Sequence, residues 1–294
     1  MQFMTHHADS LSYPILPTLP ILAAAVLYLR GWLKLHLVSA NVIPFWRGLS
    51  FLSGLLLVWL ALGSPLAALD HQFLTAHMVQ HLLLMTLGPG LLLLGDPVRV
   101  FLQVWPQRFA QQTMAPPAFR RPAVQHLGRF LANPIVCWLA AAATLIVWHL
   151  PAVFAHAMQS PGLHSVEQAT FFVAGLLFWW PVIQPWPSVP LRSGWPILLY
   201  LFLATIPCDI LSAYLTFCDT VVYPPFLNLS HASQLSVLRD QQLAGSLMWT
   251  CITIVYLVPA AILTIRLLDG PSNEVRRPVE SSISLRHGSD SSRT

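Results

Sequence analysis

Three histidines punctuate one apolar stretch, His71-Gln-Phe-Leu-Thr-Ala-His77-Met-Val-Gln-His81. His77 and His81 are four residues apart, so on a helix they share one face. If that helix crosses a bilayer, His81 lies about 15 Å deeper than His71, near the midplane of a hydrocarbon core about 30 Å thick. An imidazole at that depth needs a partner, because ionisable groups inside membranes face a bundle interior or a cavity. Other segments carry matching groups. Trp148-His149-Leu150-Pro151 is followed by His156, His164 and Glu167 form an i, i+3 pair, and Asp240-Gln241-Gln242 opens the last apolar run. Imidazole with carboxylate suits transition metals, and thioether or thiol neighbours tilt a site toward Cu(I). Met78, Met158, Met248, Cys208 and Cys218 are close enough in sequence to supply sulphur.

Each residue also has a plainer use. His6 and His7 read as a solvated terminus, and His71, His156 and His231 as interfacial residues. His149, Glu167 and Asp240 could form a hydrogen-bond network that holds helices together. Asp209 could cap a break at Pro207. His77 with His81 is different, since two histidines one turn apart at lipid depth rarely serve packing alone.

The elements that must position these groups are membrane helices. Of 294 residues, 55% are hydrophobic and 9% charged, against about 25% charged in soluble domains. Too few charges exist to cover a soluble surface, and the eleven Trp fit a membrane interface. Seven apolar runs of spanning length are predicted, at Pro14–Leu33, Phe45–Ala68, Phe73–Leu94, Pro134–Phe154, Val166–Pro185, Pro196–Phe217 and Leu243–Leu268. Backbone groups in lipid must bond internally, so the runs are helices, and the short alternating segments of a β-barrel are absent. The expected fold is an all-α polytopic bundle over residues 1–269 with a disordered, Ser-rich cytoplasmic tail over 270–294. The first residues lack a secretory signal's basic region and cleavage site, so the first run is expected to stay in the membrane. Pro207 should kink the sixth helix. The four Cys form no CxxC pair, and Cys208 and Cys218, ten residues apart on one helix, are too distant for a disulfide.

Basic residues set the orientation. Arg30, Lys34, Arg47, Arg99, Arg108, Arg120, Arg121, Arg129, Arg192, Arg266, Arg276, Arg277, Arg286 and Arg293 fall on one side, and Arg239 alone on the other. The positive-inside rule places the N-terminus outside and the C-terminus in the cytoplasm. The same topology puts His71, His77, His81, His149, His156, His164, Glu167, Asp209 and Asp240 toward the outer end. The net charge of +4 is therefore a topological signal, and no nucleic-acid partner is read from it.

At these residues the chain resembles the multi-span CtaG-like family of cytochrome c oxidase assembly factors. The matching stretches are His77-Met-Val-Gln-His81-Leu-Leu-Leu with Pro89 and Gly95-Asp-Pro97; Trp148-His149-Leu-Pro151; His164-x-x-Glu167 leading into Phe178-Trp-Trp-Pro181; and Asp240-Gln-Gln-Leu-Ala-Gly245-Ser-Leu-Met248-Trp249. They occur in the family's order from about Phe45 to Leu268. The resemblance implies a non-enzymatic assembly factor in the bacterial inner membrane that binds copper and works with cytochrome c oxidase subunits, surrounded by lipid, with homo-oligomerisation left open. Carried over by position, the metal ligands would be His77, His81, His149, His164 and Glu167, with Asp240 nearby. One departure is Gln168, where many members have His. Gln is a poor copper ligand, so ligation could shift to His71 or His156. Two alternatives compete. A metal-dependent intramembrane hydrolase would need His-Glu-x-x-His, but Met78 follows His77. A haem-binding electron carrier would need axial histidines from the third and fourth helices.

Overall fold

The computed structural model describes residues 15–38, 43–104, 122–185, 194–223 and 236–268. The expectation of a disordered tail, and those for His6, His7 and His231, lie outside the described residues. The described residues are helical, in the order α1 (Ile15–Val38), α2 (Phe45–Gly63), α3 (Leu66–Leu69), α4 (Leu74–Leu82), α5 (Gly88–Leu94), α6 (Pro97–Leu102), α7 (Pro122–Leu131), α8 (Pro134–Trp148), α9 (Pro151–Gln159), α10 (Pro161–Ile183), α11 (Trp195–Phe217) and α12 (Val237–Leu268). Six spans are long and apolar enough to cross a membrane unaided, and the bent pair α7–α8 makes up to seven. This agrees with the predicted all-α bundle of about seven spans. The outer faces meet lipid, as on α11, where Leu199, Phe202, Ile206 and Ile210 recur at helical spacing and stand exposed.

The central span runs Leu74–Leu94 and is far more buried than any other span among the described residues. It packs against α2, α10 and α12. α4 and α5 join through one π turn, Leu83–Leu87, where the Gly88 N–H reaches back to Leu83 O. Pro89 explains the widening. A proline ring in a regular helix collides with the carbonyl four residues earlier, here that of Met85. The wider turn moves that carbonyl aside, and π turns of this kind often mark functional sites.

The structure corrects several predicted boundaries: the first span runs on to Val38, the fifth starts at Pro161, the seventh starts at Val237, and the fourth is cut short. The fourth span was expected to continue to Phe154, but α8 ends at Trp148. Leu150 precedes Pro151 and takes an extended conformation (φ −65°, ψ 126°), because the residue before proline is driven out of the helical region. α8 is thus only 15 residues long, and α7 meets it at 61°. Pro207 lies inside α11, which runs unbroken from Trp195 to Phe217. All four cysteines are free.

Among the described residues, Arg47, Arg99 and Asp96 meet just beyond the Leu94 end of the central span, away from His77 and His81. Arg47 Nη1 donates to Asp96 Oδ2 at 2.9 Å, and Arg99 Nε lies 3.3 Å from the same oxygen. Tyr28 donates to Gly95 O at 2.7 Å, tying α1 to this corner.

Candidate metal centre

α4 aims His77 and His81 inward from one face, and both are almost fully buried. Their Nε2 atoms stand 2.7 Å apart. α10 brings Glu167 to the same point, with Oε1 3.3 Å from His81 Nε2 and 3.6 Å from His77 Nε2. The rings are fixed by packing: His77 meets Phe154 edge-on at 5.1 Å, and His81 lies on Phe171 at 4.0 Å. Two imidazole nitrogens and one carboxylate oxygen therefore converge.

His164, one helical turn before Glu167, joins the group from its outer side. Its Nδ1 lies 3.1 Å from Glu167 Oε2 and its Nε2 3.0 Å from Asp70 Oδ2. His164 therefore bridges two acids, with one ring nitrogen within hydrogen-bond distance of each. Gln168 Nε2 also lies 2.8 Å from His164 Nε2. The position where the family resemblance anticipates histidine is therefore at the cluster's edge. Asp70 lies between His164 and His71, whose Nε2 is 3.8 Å from Asp70 Oδ1. Burial pushes the Asp70 carboxyl up, but the hydrogen bond from His164 and the fields of His71, His164 and His77 outweigh it and hold it below the usual carboxylate range. The side chain of His71 is half exposed, so the chain of polar groups reaches the surface there.

His149 caps α8 just beyond Trp148, with φ −91° and ψ 1°. Its ring lies 6.3 Å from that of His81, and Tyr223 donates to its carbonyl at 3.1 Å. His149 is thus a neighbour of the triad and not a member of it.

Asp240 is not brought to the cluster. Its carboxylate accepts from Leu74 N at 2.6 Å, Thr75 N at 3.3 Å and Thr75 Oγ1 at 2.6 Å. Those backbone donors open α4 and have no partner within the helix. The ligand expectation for Asp240 gives way to a cap that sets the start of the histidine helix. Asp240→Ala should therefore cost about 1–2 kcal/mol, read as a lower unfolding temperature in detergent. Asp240→Asn should leave bound copper per protein unchanged. His156 is exposed and its Nδ1 donates to Ala152 O at 2.7 Å, away from the cluster. Asp70, absent from the predicted ligands, was marked in sequence only by its adjacency to His71 at the end of an apolar run.

The donor set fits a metal ion. Tetrahedral ligands about 2.0–2.1 Å from a metal are about 3.3 Å apart. Glu167 already stands at that separation from both histidines, and the His77–His81 pair needs to open by about 0.6 Å. A structural network would also satisfy its buried polar atoms. Here His77 Nδ1 and His81 Nδ1 are buried without a hydrogen-bond partner, so two ring nitrogens of the cluster stay unsatisfied.

The sequence profile of the cytochrome c oxidase caa3 assembly factors matches residues 26–269. The chain belongs to that family. His77, His81 and Glu167, their neighbours His164 and His149, and the Asp240 cap lie within the matched region. The chain is also 26% identical, over 232 residues, to an uncharacterized protein of Mycobacterium bovis. An uncharacterized protein of Mycobacterium tuberculosis matches at the same identity and length. The match covers 77% of this chain and 34% of each relative, so the chain spans about a third of the length of the curated relatives it matches. No solved structure matches it.

Proposed function

We propose that this assembly factor binds copper at His77, His81 and Glu167 and presents it to an oxidase subunit within the membrane. The convergence of the two Nε2 atoms with Glu167 Oε1, in a pocket whose ring nitrogens are otherwise unpartnered, supports this reading. Copper bound there would accept lone pairs from the two imidazoles and the carboxylate. The chain's own groups do the rest. Phe154 and Phe171 hold the rings, His164 orients Glu167, and Asp70 holds His164. His71 offers an exposed first contact. The site lies at the extracytoplasmic end in this reading, as the Lys and Arg distribution supports, and the role is non-catalytic.

The alternatives find less support. A hydrolase needs a free base, but Glu167 accepts from His164 and faces both histidines. A haem needs a porphyrin-sized gap, and the cavity beside His81 and His149 is about 20 Å³. The test is metal analysis of protein purified without oxygen. Wild type should retain copper against a competing chelator, and the His77→Asn/His81→Asn variant should retain less than a tenth as much. Equal copper in both would reject the assignment.

A further inference from the structure

His149 is left over by the triad, and its tautomer is fixed. Its Nδ1 lies 2.7 Å from Leu145 O. A carbonyl cannot donate, so Nδ1 carries the hydrogen and Nε2 of the neutral ring is a bare lone pair. That nitrogen faces Met78 Sδ at 3.4 Å. A thioether has no hydrogen to give, so two acceptors confront each other with no donor between them. Both residues are buried, Met78 to 1% exposure and His149 to 8%. Protonating His149 would supply a donor, at the cost of an imidazolium in a membrane interior. The nearby carboxylate, Glu167, is already held by His164, His77 and His81.

The surroundings are soft. Met78, His81, Met85, His149, Cys208 and Met248 line one cavity of about 20 Å³, room for one water-sized particle. No carboxylate lines it. Thioether, thiol and imidazole without carboxylate select Cu(I) and its soft analogues over harder divalent ions. We propose that His149 Nε2 and Met78 Sδ form a second metal position, specific for a soft monovalent cation, beside the His77/His81/Glu167 group. His81 lines the cavity and belongs to the first group, so an ion passes between them by ligand exchange without changing oxidation state. Met78 follows His77 in the chain, so one helical turn serves both positions. The assignment of copper as the cargo rests on the function proposed above; the soft position itself rests on the His149–Met78 geometry.

Two redox-inert probes separate the positions in the full-length purified protein: Ag(I) for the soft one and Zn(II) for the His/Glu group. Met78→Leu should weaken Ag(I) binding at least tenfold and leave Zn(II) binding at the wild-type value. His77→Asn should do the reverse. Ag(I) binding that ignores Met78→Leu overturns the soft position. Zn(II) binding that ignores His77→Asn overturns the triad and leaves the soft position standing. X-ray absorption of Cu(I)-loaded wild type is a check that needs no variant: a sulphur scatterer supports the proposal, and a purely nitrogen and oxygen shell overturns it.

Discussion

Glu167→Gln should weaken copper binding at least a hundredfold and destabilise the protein by about 3–5 kcal/mol. Glu167 holds three histidines at once. Its Oε2 accepts from His164, and its Oε1 faces His77 and His81. A neutral amide leaves His164 with Asp70 as its one carboxylate, in a site where 1% of Glu167 is exposed. Breaking a buried pair is far worse than never having built it, because the surviving charge stays uncompensated. The amide is also a poorer metal donor than a carboxylate, so metal affinity falls for a separate reason. Glu167→Asp separates the two effects. It keeps the charge but withdraws it by one methylene, so stability should recover while copper affinity stays low. Thermal unfolding in detergent and chelator competition on the same samples measure both. Wild-type unfolding temperature and wild-type copper in Glu167→Gln would remove Glu167 from the site.

What the sequence made legible follows from locality. His77 and His81 share a face because a helix repeats every 3.6 residues, and the same period pairs His164 with Glu167. The apolar runs mark the spans because lipid leaves the backbone no other choice. What stayed hidden depends on contacts distant in the chain. Asp240 looked like a ligand because it is an acid at the outer end of a span. Only the fold shows that it reaches 166 residues back to cap Leu74. Asp70 sits in the short connection between α3 and α4, where no periodicity assigns a direction, and its partner His164 is 94 residues away. The apolar run of the fourth span continues past Pro151, whereas the helix cannot continue through Leu150.

The π turn links backbone geometry to the metal centre and gives the second large effect. A Cβ at Gly175 would overlap the Met85 carbonyl oxygen and stand 2.8 Å from Pro89 Cγ. Neither obstacle is a flexible side-chain end, so α10 itself must move. Gly175 lies eight residues beyond Glu167, about 12 Å along the same helix, and displacing it carries Glu167 away from His77 and His81. Gly175→Ala should cost about 1–3 kcal/mol by overpacking and weaken copper binding at least tenfold, although no ligand is touched. Gly162→Ala is the control. It lies on the same helix with nothing within 4 Å of its added Cβ, and should leave copper unchanged. The cause can be traced one step further. Pro89 forces the π turn, and the π turn presents the Met85 carbonyl to Gly175. Pro89→Ala lets the turn relax toward regular helix and draws that carbonyl back, so in the Gly175→Ala background it should recover part of the lost affinity. If the two substitutions simply add, the route from Pro89 through Met85 to Glu167 is wrong, and Gly175 matters only for packing at its own level of the bundle.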